Sequence, residues 1–85
     1  MIISDIKSRE TMQTRTDGRY PLRIGSTVEF YEMPYRGCSM ALAYILDNQG
    51  NPRSGYLCTS IVKDVQESSN QYIITTKNSI YYLER

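Results

Sequence analysis

The stretch that decides the fold is QYIITTKNSIYYLE, residues 71–84. Both of its halves are rich in β-branched and aromatic residues, which favour extended strands. Between them stands Lys77-Asn78, a pair with the length of a tight hairpin loop. With this turn, Ile74 faces Tyr81 across the two strands. The sequence therefore predicts an antiparallel hairpin at the carboxyl end of the chain.

Both faces of this hairpin are apolar. Ile73, Ile80 and Tyr82 fall on the face opposite Ile74 and Tyr81, whereas a strand pair with one solvated face alternates polar residues on that face. One apolar face closes the core, and the other must be covered by the amino-terminal strand or by another subunit. Both alternatives stay open at this point. We expect a homo-oligomer with Ile73, Ile80 and Tyr82 near or in its interface.

The remaining sequence predicts further short strands and no helix. Alternating patterns or short apolar runs occupy residues 1–7, 24–33, 39–47, 56–58 and 61–65. Residues 39–47 are ambiguous between helix and strand, but their length and flanking glycines favour the strand. Thr59-Ser60 is expected to break the chain between two strands. The pattern predicts an all-β fold, a small antiparallel β-barrel of the SH3-like kind with five to six short strands.

The chain has 85 residues, which allows a single domain over 1–85. A long loop at about 8–23 is expected to be mobile or functional, because such loops are uncommon in small domains. The net charge of +1 argues against an acidic DNA mimic and against a strongly basic nucleic-acid coat. There is no histidine, and two cysteines alone cannot form a four-ligand zinc site. We therefore expect no enzyme, no metal and no cofactor.

Cellular location is predicted from what the sequence lacks. The opening residues, MIISD, reach an acidic residue before any long apolar stretch, so no signal peptide is expected. The longest near-apolar run, 40–46, is too short to span a bilayer. Cys38 and Cys58 are accordingly expected to be free thiols of a cytoplasmic protein.

Arginine and tyrosine are concentrated in the amino-terminal third. The segment from Lys7 to Arg23 holds five basic residues, four of them arginine, against two acidic ones. Arginine binds phosphate through two parallel hydrogen bonds, tyrosine stacks on bases, and hydroxyls can donate to phosphate. The candidate residues for a nucleotide-like anion are Arg15, Arg19, Tyr20, Arg23, Tyr35, Arg36, Thr59 and Ser60. The same composition fits a protein–protein hot spot or a solvated loop, and these alternatives stay open.

Two short motifs carry a family resemblance. LCTSIV at 57–62 and TTKNSIY at 75–81 resemble the L-x-T-S-x-V and T-T-x-N-S-x-Y stretches of short proteins carried by phages and prophages of low-GC bacteria. RETM at 9–12 and RYP at 19–21 are similar too. The resemblance implies a phage-associated setting and says nothing about catalytic residues.

Small phage proteins are often counter-defence factors, so the expected function is non-catalytic sequestration of a nucleotide-like ligand. One alternative is an inhibitor or adaptor of a host protein. The other is a weak binder of single-stranded nucleic acid, against which the near-neutral charge counts.

Overall fold

The computed structural model describes all 85 residues and contains six strands and one short helix. The elements in chain order are β1 (Ile2–Ser8), α1 (Tyr20–Arg23), β2 (Thr27–Phe30), β3 (Ser39–Leu46), β4 (Tyr56–Glu67), β5 (Gln71–Thr76) and β6 (Ser79–Glu84). No helix is long and apolar enough to cross a membrane. The ambiguous stretch 39–47 forms the strand β3, because its alternate side chains are buried.

The six strands form one closed antiparallel ring. Each strand pairs with its neighbour in sequence, and β1 also pairs with β6. The β1–β2 contact is the shortest, but backbone bonds such as Ile3 N to Ser26 O at 3.0 Å extend it. Closure leaves no long free edge to pair with another chain. The predicted small all-β barrel of five to six strands is confirmed.

The carboxy-terminal hairpin has the predicted register. Ile74 pairs with Tyr81 and Ile73 pairs with Tyr82. The side chains of Ile74 and Tyr81 point into the core with those of β1, where Ile6 is opposite Tyr81. Side chains alternate between the two faces of a strand, so the position of the turn determines which residues face the core. This part of the fold therefore follows from local sequence.

The outer face of that hairpin is largely covered within the chain. Ile80 is only 8% exposed, and Ile73 and Tyr82 are half-buried. The ammonium group of Lys7, on the adjacent strand β1, lies 5.0 Å from the centre of the Tyr82 ring. Ile80 therefore offers little surface to a partner, and an interface through Ile73 and Tyr82 stays a prediction.

The expected break at Thr59-Ser60 is wrong, because β4 runs through it without interruption. The register between β3 and β4 shifts between Ser39 and Ala41, which pair with the residues on either side of Thr59-Ser60, namely Ile61 and Cys58. The Thr59 hydroxyl accepts a bond from Met40 N at 3.1 Å and donates to Ser60 O at 2.8 Å. The hydroxyl thus satisfies backbone groups that the irregular ladder leaves unpaired.

The segment before β2 also differs from expectation. Residues 20–23 form a helical turn with Pro21 in its first positions, where proline is favoured. The expected strand over 24–33 is limited to Thr27–Phe30. Gly25, with φ of +94°, lets the chain turn from α1 into β2. The long loop at 8–23 is also tied down, since Arg15 N donates to Ile6 O at 2.8 Å.

Candidate anion-binding site

The short helix α1 contributes residues to two cavities. The first, here called the arginine cleft, has a volume of about 190 Å³, and its walls include Arg19, Leu22, Arg23, Tyr44, Arg53 and Tyr56. The second, here called the polar cavity, has a volume of about 600 Å³ and is lined by Ser8, Arg9, Glu10, Arg15, Tyr20, Lys77 and Asn78. The predicted residues of the amino-terminal segment are thus divided between two neighbouring sites.

Two arginines of the cleft are held against tyrosine rings. The guanidinium carbon of Arg23 is 5.0 Å from the centre of the Tyr20 ring, and that of Arg53 is 3.8 Å from the centre of the Tyr44 ring. The backbone of Arg53 is fixed as well, because its N–H donates to Ile45 O at 3.0 Å. Stacking of this kind orients a guanidinium while leaving in-plane N–H groups for a ligand.

No carboxylate lines the arginine cleft. The only ion pairs in the structure are Arg15–Asp17 and Arg85–Glu67, so Arg19, Arg23 and Arg53 have no acidic partner. Hydrogen bonds from the N–H groups of Asn51 and Gln49 lower the pKa of Asp47, and the charge of Arg53 acts in the same direction. The cleft therefore carries three positive charges, none of which is in an ion pair.

Arg15 belongs to the polar cavity, and three of the five N–H groups of its guanidinium are already used in hydrogen bonds. Its guanidinium donates to Asp17 at 3.1 and 2.7 Å and to Ser79 Oγ at 2.8 Å. The hydrogen bonds between Arg15 and Asp17 raise the pKa of Arg15 and lower the pKa of Asp17. Its guanidinium carbon also lies 4.0 Å from the centre of the Tyr20 ring. Arg15 is therefore a fixed wall of the cavity rather than a free ligand for phosphate.

The ring of Tyr20 contacts two arginines. It is half-buried, and both Arg15 and Arg23 lie over it. Behind it lies Tyr81, whose pKa burial raises to about 12 although both arginines act to lower it. Tyr20 therefore supports two arginines, and its stacking on a base stays a prediction.

Four predicted residues lie outside both cavities. Thr59 is buried and structural, and Ser60 Oγ accepts a bond from Asn78 N at 3.4 Å. Tyr35 is exposed, and the hydrogen bond of 3.1 Å between its hydroxyl and the Cys38 sulfur raises the pKa of the phenol. Arg36 is exposed on the β2–β3 loop. The structure does not bring these four together with the arginines, because strand pairing uses the two hydroxyls and the loop lies apart from α1.

The two cysteines are free thiols, as expected, and both are exposed. Cys58 lines the arginine cleft, whereas Cys38 does not. The two positions therefore differ in how a bound ligand affects them.

Arg53, Tyr44 and Tyr56 are the residues of the cleft that sequence reasoning missed. Arg53 lies in the 48–55 loop, where glycines and a proline indicate only a hairpin connection. The β3–β4 pairing brings this loop beside α1, so its role depends on contacts remote in sequence. The one available signal was a further arginine-tyrosine association, Arg53 followed closely by Tyr56.

Comparison of the chain with family models, with curated proteins and with solved structures finds no match. The resemblance to short phage proteins accordingly stays a prediction. The T-T-x-N-S residues have a structural explanation of their own, since the Thr76 hydroxyl donates to Ser79 O at 3.0 Å and accepts from Ser79 N at 3.2 Å. These bonds close the turn between β5 and β6.

Proposed function

We propose that the protein is a non-catalytic binding protein that captures a nucleotide-like anion in the arginine cleft. The observation that carries this proposal is the grouping of Arg19, Arg23 and Arg53 in one cleft without a carboxylate. Buried or clustered charges of one sign destabilise a fold unless something compensates them. A phosphate supplies that compensation, and it matches the bidentate geometry of a guanidinium.

The cleft is partly organised before a ligand arrives. Arg23 and Arg53 are each stacked on a tyrosine ring, which reduces the side-chain entropy lost on binding. Its volume of about 190 Å³ is below the ~300–1,000 Å³ typical of sites that enclose a small ligand. The cleft therefore fits a phosphate group, with the rest of the ligand extending toward the exposed ring of Tyr56.

Capture rather than turnover is the activity that these residues support. The cleft offers cations, tyrosines and one thiol, and the chain has no histidine to act as a general base near neutral pH. In the phage setting implied by the resemblance, the ligand is a nucleotide signal of the host, which the protein sequesters.

A second candidate function is inhibition of a host protein through exposed aromatic residues. Tyr31 and Tyr56 are 65% and 62% exposed, and their rings meet edge to face with centres 5.1 Å apart. Ile45 and Ile61 are also exposed on neighbouring strands. Tyrosines of this kind are enriched at the centres of protein interfaces.

Calorimetry with linear and cyclic mononucleotides tests the first candidate. Arg53→Ala is expected to weaken binding about tenfold to a hundredfold, the loss of one or two charge-assisted hydrogen bonds. Arg36→Ala is the matched control, because it removes an exposed arginine that lines neither cavity. If no nucleotide binds the wild-type protein below millimolar concentration, the proposal is wrong. Binding only of single-stranded oligonucleotides, with steep salt dependence, indicates the nucleic-acid alternative instead.

A further inference from the structure

The polar cavity is a preformed site to which nucleotide binding in the arginine cleft assigns no role. It is bounded by residues from the loop after β1 and from the β5–β6 turn. These two segments are joined by a backbone bond from Arg9 N to Asn78 O at 3.2 Å. The turn is also anchored to β4, because Lys77 N donates to Ile61 O at 2.9 Å. The backbone positions that carry the cavity's side chains are therefore fixed relative to one another.

The cations of this cavity are not equivalent. Arg15 is neutralised by Asp17 and bonded to Ser79, as described above. The Arg9 guanidinium makes one long bond, to Thr76 O at 3.4 Å, and Lys77 forms no ion pair. Arg9 and Lys77 are thus the two positive charges available to a ligand. They come from opposite segments of the cavity wall.

The remaining polar groups match hydroxyls better than a second phosphate. The Asn78 side chain can donate and accept hydrogen bonds, and the Ser8 hydroxyl, whose oxygen accepts bonds from Glu10 N at 3.2 Å and Thr11 N at 3.4 Å, keeps its O–H to donate. Glu10 offers a carboxylate, which accepts bonds from hydroxyls and repels an additional anion. The site is a wide surface depression with a volume of about 600 Å³. The lining contains a single hydrophobic residue, Tyr20, and the ring of that residue already carries Arg15.

We infer that the polar cavity binds a phosphorylated sugar. Arg9 and Lys77 hold its single phosphate, and Ser8, Glu10 and Asn78 bond its hydroxyls. The wall formed by Arg15 and Tyr20 closes one side without contributing a free charge. This site is separate from the arginine cleft. The inference does not depend on whether that cleft binds a nucleotide.

Ribose 5-phosphate and inorganic phosphate are the probes, with binding measured by calorimetry and located by amide chemical shifts in nuclear magnetic resonance spectra. The sugar phosphate is expected to bind more tightly than inorganic phosphate and to shift the amides of Arg9, Lys77 and Asn78. Lys77→Ala and Arg9→Ala are each expected to weaken binding about tenfold or more. Both side chains are exposed, and both variants keep the backbone bonds of the cavity.

Two controls separate this site from the arginine cleft. Lys63→Ala removes an exposed lysine that lines neither cavity, and it is expected to leave binding unchanged. Arg53→Ala is likewise expected to leave the shifts that the sugar phosphate causes at the amides of Arg9, Lys77 and Asn78 unchanged, and Lys77→Ala to leave nucleotide binding in the cleft unchanged. Equal affinities for inorganic phosphate and the sugar phosphate contradict the role of the hydroxyl partners. Absence of binding, or an unchanged affinity in both Lys77→Ala and Arg9→Ala, overturns the assignment.

Discussion

The guanidinium carbon of Arg53 lies 3.8 Å from the centre of the Tyr44 ring. Tyr44 is a buried member of the core, while Arg53 belongs to the exposed loop between β3 and β4. A core residue therefore fixes the direction of a loop arginine. The position of the Arg53 charge in the arginine cleft depends on this contact. Substitutions of Tyr44 and of Arg53 therefore test the ring and the charge separately.

Replacing Tyr44 tests whether the ring orients Arg53. Tyr44→Phe keeps a π face and is expected to leave nucleotide affinity nearly unchanged. Tyr44→Leu removes the face and is expected to weaken binding about twofold to tenfold, the range of a cation–π contact. Calorimetry gives the affinities, and thermal unfolding shows that each variant is folded at the temperature used. Equal affinities for the two variants contradict the orienting role.

Replacing Tyr20 tests a support shared by the two cavities. Its ring lies under both Arg15 and Arg23, so Tyr20→Leu is expected to weaken nucleotide binding in the cleft. The same change is expected to weaken sugar-phosphate binding by a smaller factor, because Asp17 and Ser79 still hold Arg15. Tyr20→Phe is expected to retain both affinities. If Tyr20→Leu instead abolishes nucleotide binding while Arg23→Ala has no effect, the ring contacts the ligand directly.

The carboxy-terminal hairpin was predictable and the site only partly so, for physical reasons. The pairing of Ile74 with Tyr81 follows from a two-residue turn and period-two side chains, which are local properties. The arginine-rich composition near α1 indicated Arg19 and Arg23. Arg53 joins them only through β3–β4 pairing and its contact with Tyr44, which are remote in sequence.

Thr59 shows a second limit of local reasoning. A threonine-serine pair satisfies either a turn or an irregular strand ladder, and the sequence around it is the same in both cases. Pairing with β3 determines which of the two forms, because the Met40 N–H of that strand donates to the Thr59 hydroxyl. No residue near Thr59 in sequence carries that information.

The two cysteines provide a map of ligand position. Both thiols are exposed, and only Cys58 lines the arginine cleft. A nucleotide bound there is expected to slow alkylation of Cys58 while alkylation of Cys38 continues at the rate of the free protein. Mass spectrometry of peptides after timed alkylation measures both rates in one sample, with Cys38 as the internal control. Equal protection of the two thiols indicates a global change in the protein, and protection of neither places the ligand outside the cleft.

Tyr81 predicts how stability depends on alkaline pH. Burial raises the pKa of its phenol to about 12, above the ordinary tyrosine value of 10.0. The folded state therefore holds this proton more tightly than the unfolded state does. The resulting stabilisation is fully present below pH ~10 and is lost progressively as the pH rises toward ~12, with a total of roughly 2–3 kcal/mol.

Denaturant unfolding between neutral pH and this alkaline range measures that loss. Tyr81→Phe cannot ionise, so the variant is expected to lose less stability over the same interval than the wild-type protein. The other seven of the eight tyrosines are present in both proteins, and their contributions cancel in the comparison. The phenolate absorbance supplies a second readout, since one tyrosine of the wild-type protein should titrate only as the fold is lost. Parallel stability curves for wild type and Tyr81→Phe would show that the phenol ionises as easily in the folded state as in the unfolded one, contrary to its burial beside Ile6 and Ile74.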